Sequence, residues 1–283
     1  MELALMTMFY GVFTGLKPVY EKYLAKGQLL RSKAEGELVG EMDDDLDKRI
    51  SDFLSENFAG IPVISEEKDS EWPPKETKFF VLDPCDGTHN AAIEAPIFGS
   101  MLALIDDGEV AMSVIYLPFH PAGLYLALRG AGAWQFQMNE TPKRISVSEK
   151  KTLKEAFLLL EGQTQNNFGT GNEFALRAIR NTKRTRLCLS SCWSGTRIAS
   201  GSSLPTSADV LISTGNKPTD NLPIALLVEE AGGEVTDHFG NPWSLENCNS
   251  LVLSNGHLHE QILALNGFRK SQRVYQVMGL SFP

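Results

Sequence analysis

The sequence predicts a mixed α/β protein, with an α+β first half and an alternating second half, and three observations carry that expectation. Two hairpin signals stand in the first half. Met101–Ile105 turns at Asp106-Asp107-Gly108 and returns over Val110–Leu117, and Leu124–Leu128 turns at Arg129-Gly130-Ala131-Gly132 into Ala133–Phe136. After Ser148, short apolar runs alternate with helical patterns, which points to packed layers of helix and sheet. Finally, 283 residues with 42% apolar and 22% charged side chains suit one large domain or two tightly packed ones. The expected halves are 1–150, with the antiparallel sheet, and 151–283.

Taken in order, Leu3–Leu16 is apolar and continues through Tyr20–Leu24 as an expected helix. Its start is acidic rather than basic, and the run is too short to span a bilayer, so a signal peptide or membrane span is not expected. Leu46, Ile50, Phe53 and Leu54 recur at helical spacing, so two helices are expected before Phe58. Pro62–Ser65 reads as a strand, Lys68–Lys78 as a polar loop and Phe79–Leu82 as a buried strand. Beyond the hairpins come strands at Phe157–Leu160, Arg186–Leu189, Val210–Ser213, Val235-Thr236 and Leu251–Leu253. Helices are expected at Glu173–Arg180, Ser194–Ser203, Asn221–Ala231 and His257–Leu265, the third stopped by Gly232-Gly233.

A net charge of -9 argues against a broad nucleic-acid-binding face. It also means that a phosphate bound here needs local positive charge, for which bound cations are the natural source. The cysteines Cys85, Cys188, Cys192 and Cys248 form no Cys-x-x-Cys pair, so free thiols and a reducing cytoplasm are expected. The basic run Lys183, Arg184, Arg186 reads as a solvated face, and His257 and His259 as surface residues. Asp43-Asp44-Asp45-x-Asp47 lacks the Gly and terminal Glu of a calcium loop and reads as charge at a helix N-terminus.

Three acidic clusters remain, each beside an apolar element. They are Glu66-Glu67 after one strand, Asp83-Pro84-Cys85-Asp86-Gly87-Thr88 after another, and Asp220 at a helix start. Pro84 fixes φ and bends the chain off its strand, so Asp83 and Asp86 can face one side of a tight turn. Gly87 opens a backbone path closed to other residues, and the N–H groups around it can form an anion nest. Carboxylates beside a nest suit Mg²⁺ with a phosphate. Alone, the tract reads first as an ordinary Asx turn; two further acidic clusters in like settings favour a site.

The tract Asp83 to Thr88 resembles the Asp-Pro-hydrophobic-Asp-Gly-Thr signature of the inositol monophosphatase family. Leu38-Val39-Gly40-Glu41-Met42-Asp43, Ser65-Glu66-Glu67, and Asp220 with Ala225 and Glu230-Ala231-Gly232-Gly233 are similar to its other motifs, in order, from about residue 33 to 255. The resemblance implies a layered αβαβα sandwich of the sugar-phosphatase type and a homodimer. It implies a small soluble phosphate ester as substrate, with no nucleic-acid or membrane partner, and two or three Mg²⁺ ions per site. Glu66, Asp83 and the Cys85 carbonyl would hold one ion; Asp83, Asp86 and Asp220 a second; Glu66 would share a weaker third. Glu66, Thr88 and Asp43 would be catalytic, orienting a metal-activated water for in-line attack. The substrate would meet Asp86, Gly87, Thr88, Ser213 and Asp220, its phosphate on the Gly87 and Thr88 N–H groups.

Four departures bear on specificity. Thr219 stands where the family usually has Trp, Gly40 where Thr is common, and His89-Asn90-Ala91 where Thr-Asn-Phe is usual. Ser213 lies where inositol-specific members carry a Glu that contacts sugar hydroxyls. This opens 3′-phosphoadenosine 5′-phosphate, fructose 1,6-bisphosphate or histidinol phosphate as alternative substrates, while Thr219 and His89 open a non-catalytic phosphosugar-binding role as an alternative of another class.

Overall fold

A computed structural model of the chain describes residues 2–26, 30–32, 38–68, 71–120, 123–137, 140–162, 173–202 and 207–267. Helices α1 (Glu2–Thr14) and α2 (Lys17–Lys26) come first. A small antiparallel pair, β1 (Leu30–Ser32) with β2 (Leu38–Gly40), leads into α3 (Glu41–Asn57). A seven-stranded sheet follows, in sequential order: β3 (Val63–Ser65), β4 (Lys78–Asp86), β5 (Gly99–Asp106), β6 (Glu109–Tyr116), β7 (Leu124–Leu128), β8 (Gly132–Phe136) and β9 (Lys143–Arg144). Between β4 and β5 lies the short α4 (Thr88–Ala92). The second half gives β10 (Phe157–Gly162), α5 (Glu173–Asn181), β11 (Arg184–Leu187), α6 (Ser191–Ala199), β12 (Val210–Thr214), α7 (Pro218–Glu230), β13 (Glu234–Asp237), β14 (Leu251–Ser254) and α8 (His259–Ala264). Its five strands form one mixed sheet in the order β11-β10-β12-β14-β13.

Strand periodicity sorts the cores. In β4, Phe80 and Leu82 pack on one face with Phe9 and Phe13 of α1, Tyr20 of α2 and Leu46, Ile50 and Leu54 of α3. Phe79 and Val81 face the other way, into a core shared with α6, α7 and the inner face of the five-stranded sheet. The outer face of that sheet, with Leu158, Leu160, Val210 and Ile212, is covered by α5 and α8. The layers therefore run α1–α3, seven strands, α6 and α7, five strands, α5 and α8: the αβαβα sandwich. Both sheets are buried on both faces, which is why their strands read as unbroken apolar runs. Among the described residues no helix is long and apolar enough to cross a membrane.

Several expectations needed correction. The N-terminal helix is two helices, broken at Gly15-Leu16 and restarted with Pro18 in the first turn of α2, where a missing N–H costs nothing. Among the described residues three helices, not two, precede Phe58, and β1–β2 was not expected. Strand β11 starts at Arg184, because its basic residues face solvent at a sheet edge, and the chain turns away at Leu189 with φ 53°. Helix α6 begins at Ser191 rather than Ser194, and Ser203 lies outside the described residues. His259 is buried, its ring nitrogens 2.9 Å from Thr236 Oγ1 and 2.9 Å from Ser254 Oγ. His257 is exposed, and all four cysteines are buried and free.

Candidate active site

The acidic residues converge because β3, β4 and α7 end or begin at the same place. Ser65 pairs with Leu82 in the parallel β3–β4 ladder, and the Glu66 N–H donates to the Leu82 carbonyl at 2.9 Å. This sets Glu66 beside Asp83, which lies near the end of β4 where the register with β5 shifts between Asp83 and Asp86. The third partner arrives on α7. Oxygens of Glu66, Asp83 and Asp220 lie within 4.8 Å of one another. Asp83 is buried; Glu66 and Asp220 are partly exposed at the mouth.

Such crowding is costly without positive charge. Burial first, then repulsion from Glu66, Asp86 and Asp220, raises the Asp83 carboxyl well above the usual range. Asp220 is raised well above it for the same reasons, burial first, then Glu66 and Asp86. Three hard oxygen donors from three segments, with Asp83 and Asp220 destabilised as anions, form a set that fits a divalent cation such as Mg²⁺.

Asp86 is held differently. Its Oδ2 accepts from Ser190 Oγ (2.8 Å) and the Cys192 N–H (2.9 Å), and its Oδ1 accepts from the Ser191 N–H (3.1 Å). It therefore docks the loop onto the N-terminus of α6, where the helix dipole favours an anion. Its carboxyl is raised chiefly by burial, against these bonds. Behind it, buried Glu161 at the end of β10 accepts from the Ser190 N–H (2.9 Å) and from Ser194 Oγ. Burial pushes Glu161 up to about 8.

Gly87 follows at φ 85°, and a Cβ there would come within 2.8 Å of the Ile97 carbonyl, so only glycine makes this turn without moving β5's approach. Thr88 Oγ1 lies 3.0 Å from Asp43 Oδ1 and 2.9 Å from the Cys85 carbonyl. Asp43, at the start of α3, also accepts from the Gly40 N–H at 3.0 Å, and burial, then Glu67, raises it to about 7. The Cys85 thiol is buried and pushed far up, so it is no nucleophile. Ser213 is fully buried, and its hydroxyl donates at 2.8 Å to Oδ1 of Asn221, next to Asp220 in the chain. His89 is exposed.

Five contributors escape sequence reasoning. Ser190 was legible as an N-cap residue, had the helix start been set correctly. Lys217 precedes Pro218, whose place in the first turn marks the start of α7. Tyr20 and Ser100 brace the loop from α2 and β5, Ser100 Oγ donating to the Pro84 carbonyl at 2.8 Å and lying 2.6 Å from the Tyr20 hydroxyl. Glu161 carries no sequence signal beyond its place at a strand end.

The model of the inositol monophosphatase family matches residues 7–270. The chain belongs to that family. It is 28% identical over 227 residues to a fructose-1,6-bisphosphatase/inositol-1-monophosphatase of Thermotoga maritima, covering 80% of this chain and 81% of the relative. It is 27% identical over 244 residues to a histidinol-phosphatase of Chlorobaculum parvum, covering 83% and 86%. A solved IMPase/NADP phosphatase, complexed with Mg²⁺ and phosphate, superposes with a TM-score of 0.78 over 95% of this chain and 98% of that one, at 20% identity, and shares its fold. As a member of this family, the chain is a metal-dependent phosphatase acting on phosphate monoesters.

Proposed function

We propose that this chain is a Mg²⁺-dependent phosphomonoesterase acting on a small soluble ester of the inositol monophosphate type, in the cytoplasm and as a homodimer. The observation that carries this is the convergence of Glu66, Asp83 and Asp220, from three elements, within 4.8 Å. Glu66, Asp83 and the Cys85 carbonyl would hold one ion, and Asp83, Asp86 and Asp220 another. When bound, Mg²⁺ neutralises the phosphate and lowers the pKa of water.

The protein's own residues supply the rest. Thr88 has one hydroxyl proton and two acceptors, Asp43 and the Cys85 carbonyl, so it can give its proton to either while accepting from the attacking water. Asp43, with its carboxyl raised to about 7, is suited to take a proton near neutral pH. Glu66 faces the same water from the mouth. The N–H groups of Gly87 and Thr88 hold the phosphate, and the docked Asp86 keeps the loop rigid beneath it.

A second reading keeps this chemistry on 3′-phosphoadenosine 5′-phosphate, fructose 1,6-bisphosphate or histidinol phosphate. It is favoured by Ser213, which offers no carboxylate for sugar hydroxyls and is already engaged with Asn221. Phosphate release from all four ester types, with Mg²⁺ and with EDTA, tests both readings. The expected result is release with Mg²⁺ only, fastest on inositol 1-phosphate. A faster bisphosphate or histidinol phosphate selects the second reading, and release that survives EDTA overturns the metal assignment.

A further inference from the structure

The roles above leave out Lys217, which touches two carboxylates of the cluster at once. Its backbone N–H donates to Asp220 Oδ2 at 2.9 Å, and its ammonium lies 3.1 Å from Glu66 Oε1. The two side chains of that ion pair are 36% and 20% exposed, so it stands at the mouth of the site. Glu66 is 151 residues away in the chain, so only the fold makes this contact. The backbone bond, with Pro218 behind it, fixes where the side chain starts, independently of its charge.

The charge balance shows what this ammonium does. Glu66, Asp83, Asp86 and Asp220 carry four negative charges when ionised, which two divalent ions cancel. A bound phosphate dianion then leaves two negative charges. Lys217 removes one of them at the Glu66 end, where an additional ion would otherwise find its ligand. A divalent ion beside a fixed ammonium on the same carboxylate meets like-charge repulsion and loses an oxygen lone pair already taken.

We propose that the Lys217 ammonium is a resident cation of the metal cluster, holding Glu66 in place of a further divalent ion, so that the site takes two ions rather than three. This rests on the metal-site reading above. It makes Lys217 a positioning residue, acting on metal and substrate through Glu66.

The test counts ions without turnover. Mn²⁺, which accepts oxygen ligands as Mg²⁺ does, is titrated into the purified full-length chain, and the free ion is followed by its EPR signal. Wild type is expected to saturate at two ions per chain, Lys217→Met and Lys217→Gln at three, and Lys217→Arg at two. All three variants keep the N–H to Asp220, so the start of α7 is preserved, and the Gln variant serves if the Met variant does not fold. Three ions on wild type, or an unchanged count and affinity in both neutral variants, overturns the proposal. No Mn²⁺ bound by wild type would overturn the metal-site reading itself, and the proposal with it.

Discussion

Helices α6 and α7 lie side by side between the two sheets and both begin at the acidic cluster, yet they are tied to it in opposite ways. They pack so closely that a Cβ on Gly195 would meet Ile224 at 2.5 Å or less. Helix α7 carries its own acid: Asp220 is in its first turn and accepts from the Lys217 N–H three residues earlier. Helix α6 carries none. Its first N–H groups are satisfied by Asp86, which arrives from β4, and by its own cap Ser190, whose N–H goes to Glu161. One helix presents its acid to the cluster through local geometry, whereas the other depends on a distant carboxylate to complete its end. A substitution at α7's acid should therefore be a chemical lesion alone, and one at Asp86 both chemical and structural.

The largest effect should break the comparison cleanly. Asp220→Asn and Asp86→Asn are both expected to lower phosphate release by more than the 10–100-fold typical of partners outside the ligand set. Their stabilities should part. In Asp220→Asn the amide oxygen still accepts from Lys217 and a repelling charge is gone, so melting in EDTA should stay level or rise. In Asp86→Asn an NH₂ must face N–H or O–H donors of α6, at a cost of about 1–3 kcal/mol. Thermal melts in EDTA beside turnover with Mg²⁺ check this; equal melting temperatures would mean that Asp86 does not organise α6.

A smaller effect is expected from Ser190→Ala. It removes the cap of α6 and one donor to Asp86, costing about 0.5–2 kcal/mol and lowering turnover on the order of 10-fold. Denaturant melts and steady-state rates measure both. Full activity would show that the two backbone donors suffice to hold Asp86.

The smallest effect concerns the far end of α6. There buried Arg197 bonds Tyr125 and lies 3.0 Å from His120 Nε2, and burial, then Arg197, lowers His120 to about 4. The folded state thus refuses a proton that the unfolded chain accepts below its ordinary value of 6.5. His120's own contribution to stability should rise with pH between about 4 and 6.5 and be lost as pH falls through that window, opposite in sign to the contributions of Asp43 and Glu161, whose raised carboxyls take up protons on folding there. His120→Asn should remove that rising contribution in melts across pH, and a profile between about pH 4 and 6.5 identical to that of wild type would mean that His120 does not titrate there on unfolding.

Much of the fold was legible in the sequence. Runs such as Phe79–Leu82, with every residue apolar, announced strands buried on both faces, and the hairpins at Asp107-Gly108 and Gly130–Gly132 lie where turn chemistry puts them. Asp83, Asp86 and Glu66 were legible because each follows an apolar strand. Ser190, Glu161 and Lys217 were not, since a serine or lysine beside a helix start reads the same whether or not an acid faces it. Ser213 read as a lining residue by position in the chain, but packing turned its hydroxyl to Asn221.

By itself the sequence determined the mixed α/β class, the abrupt turn at Gly87 and the identity of the acids, because alternation, positive φ and charge are properties of short stretches of chain. Only the tertiary structure decided that Glu66 meets an ammonium from Lys217, that Asp86 spends its oxygens on the end of α6, and that Asp83 and Asp220 join one acidic cluster. The reason is physical. A carboxylate's partners and its cost of ionisation depend on what long-range packing brings within a few ångströms, and the spacing of residues along the chain carries no record of that distance.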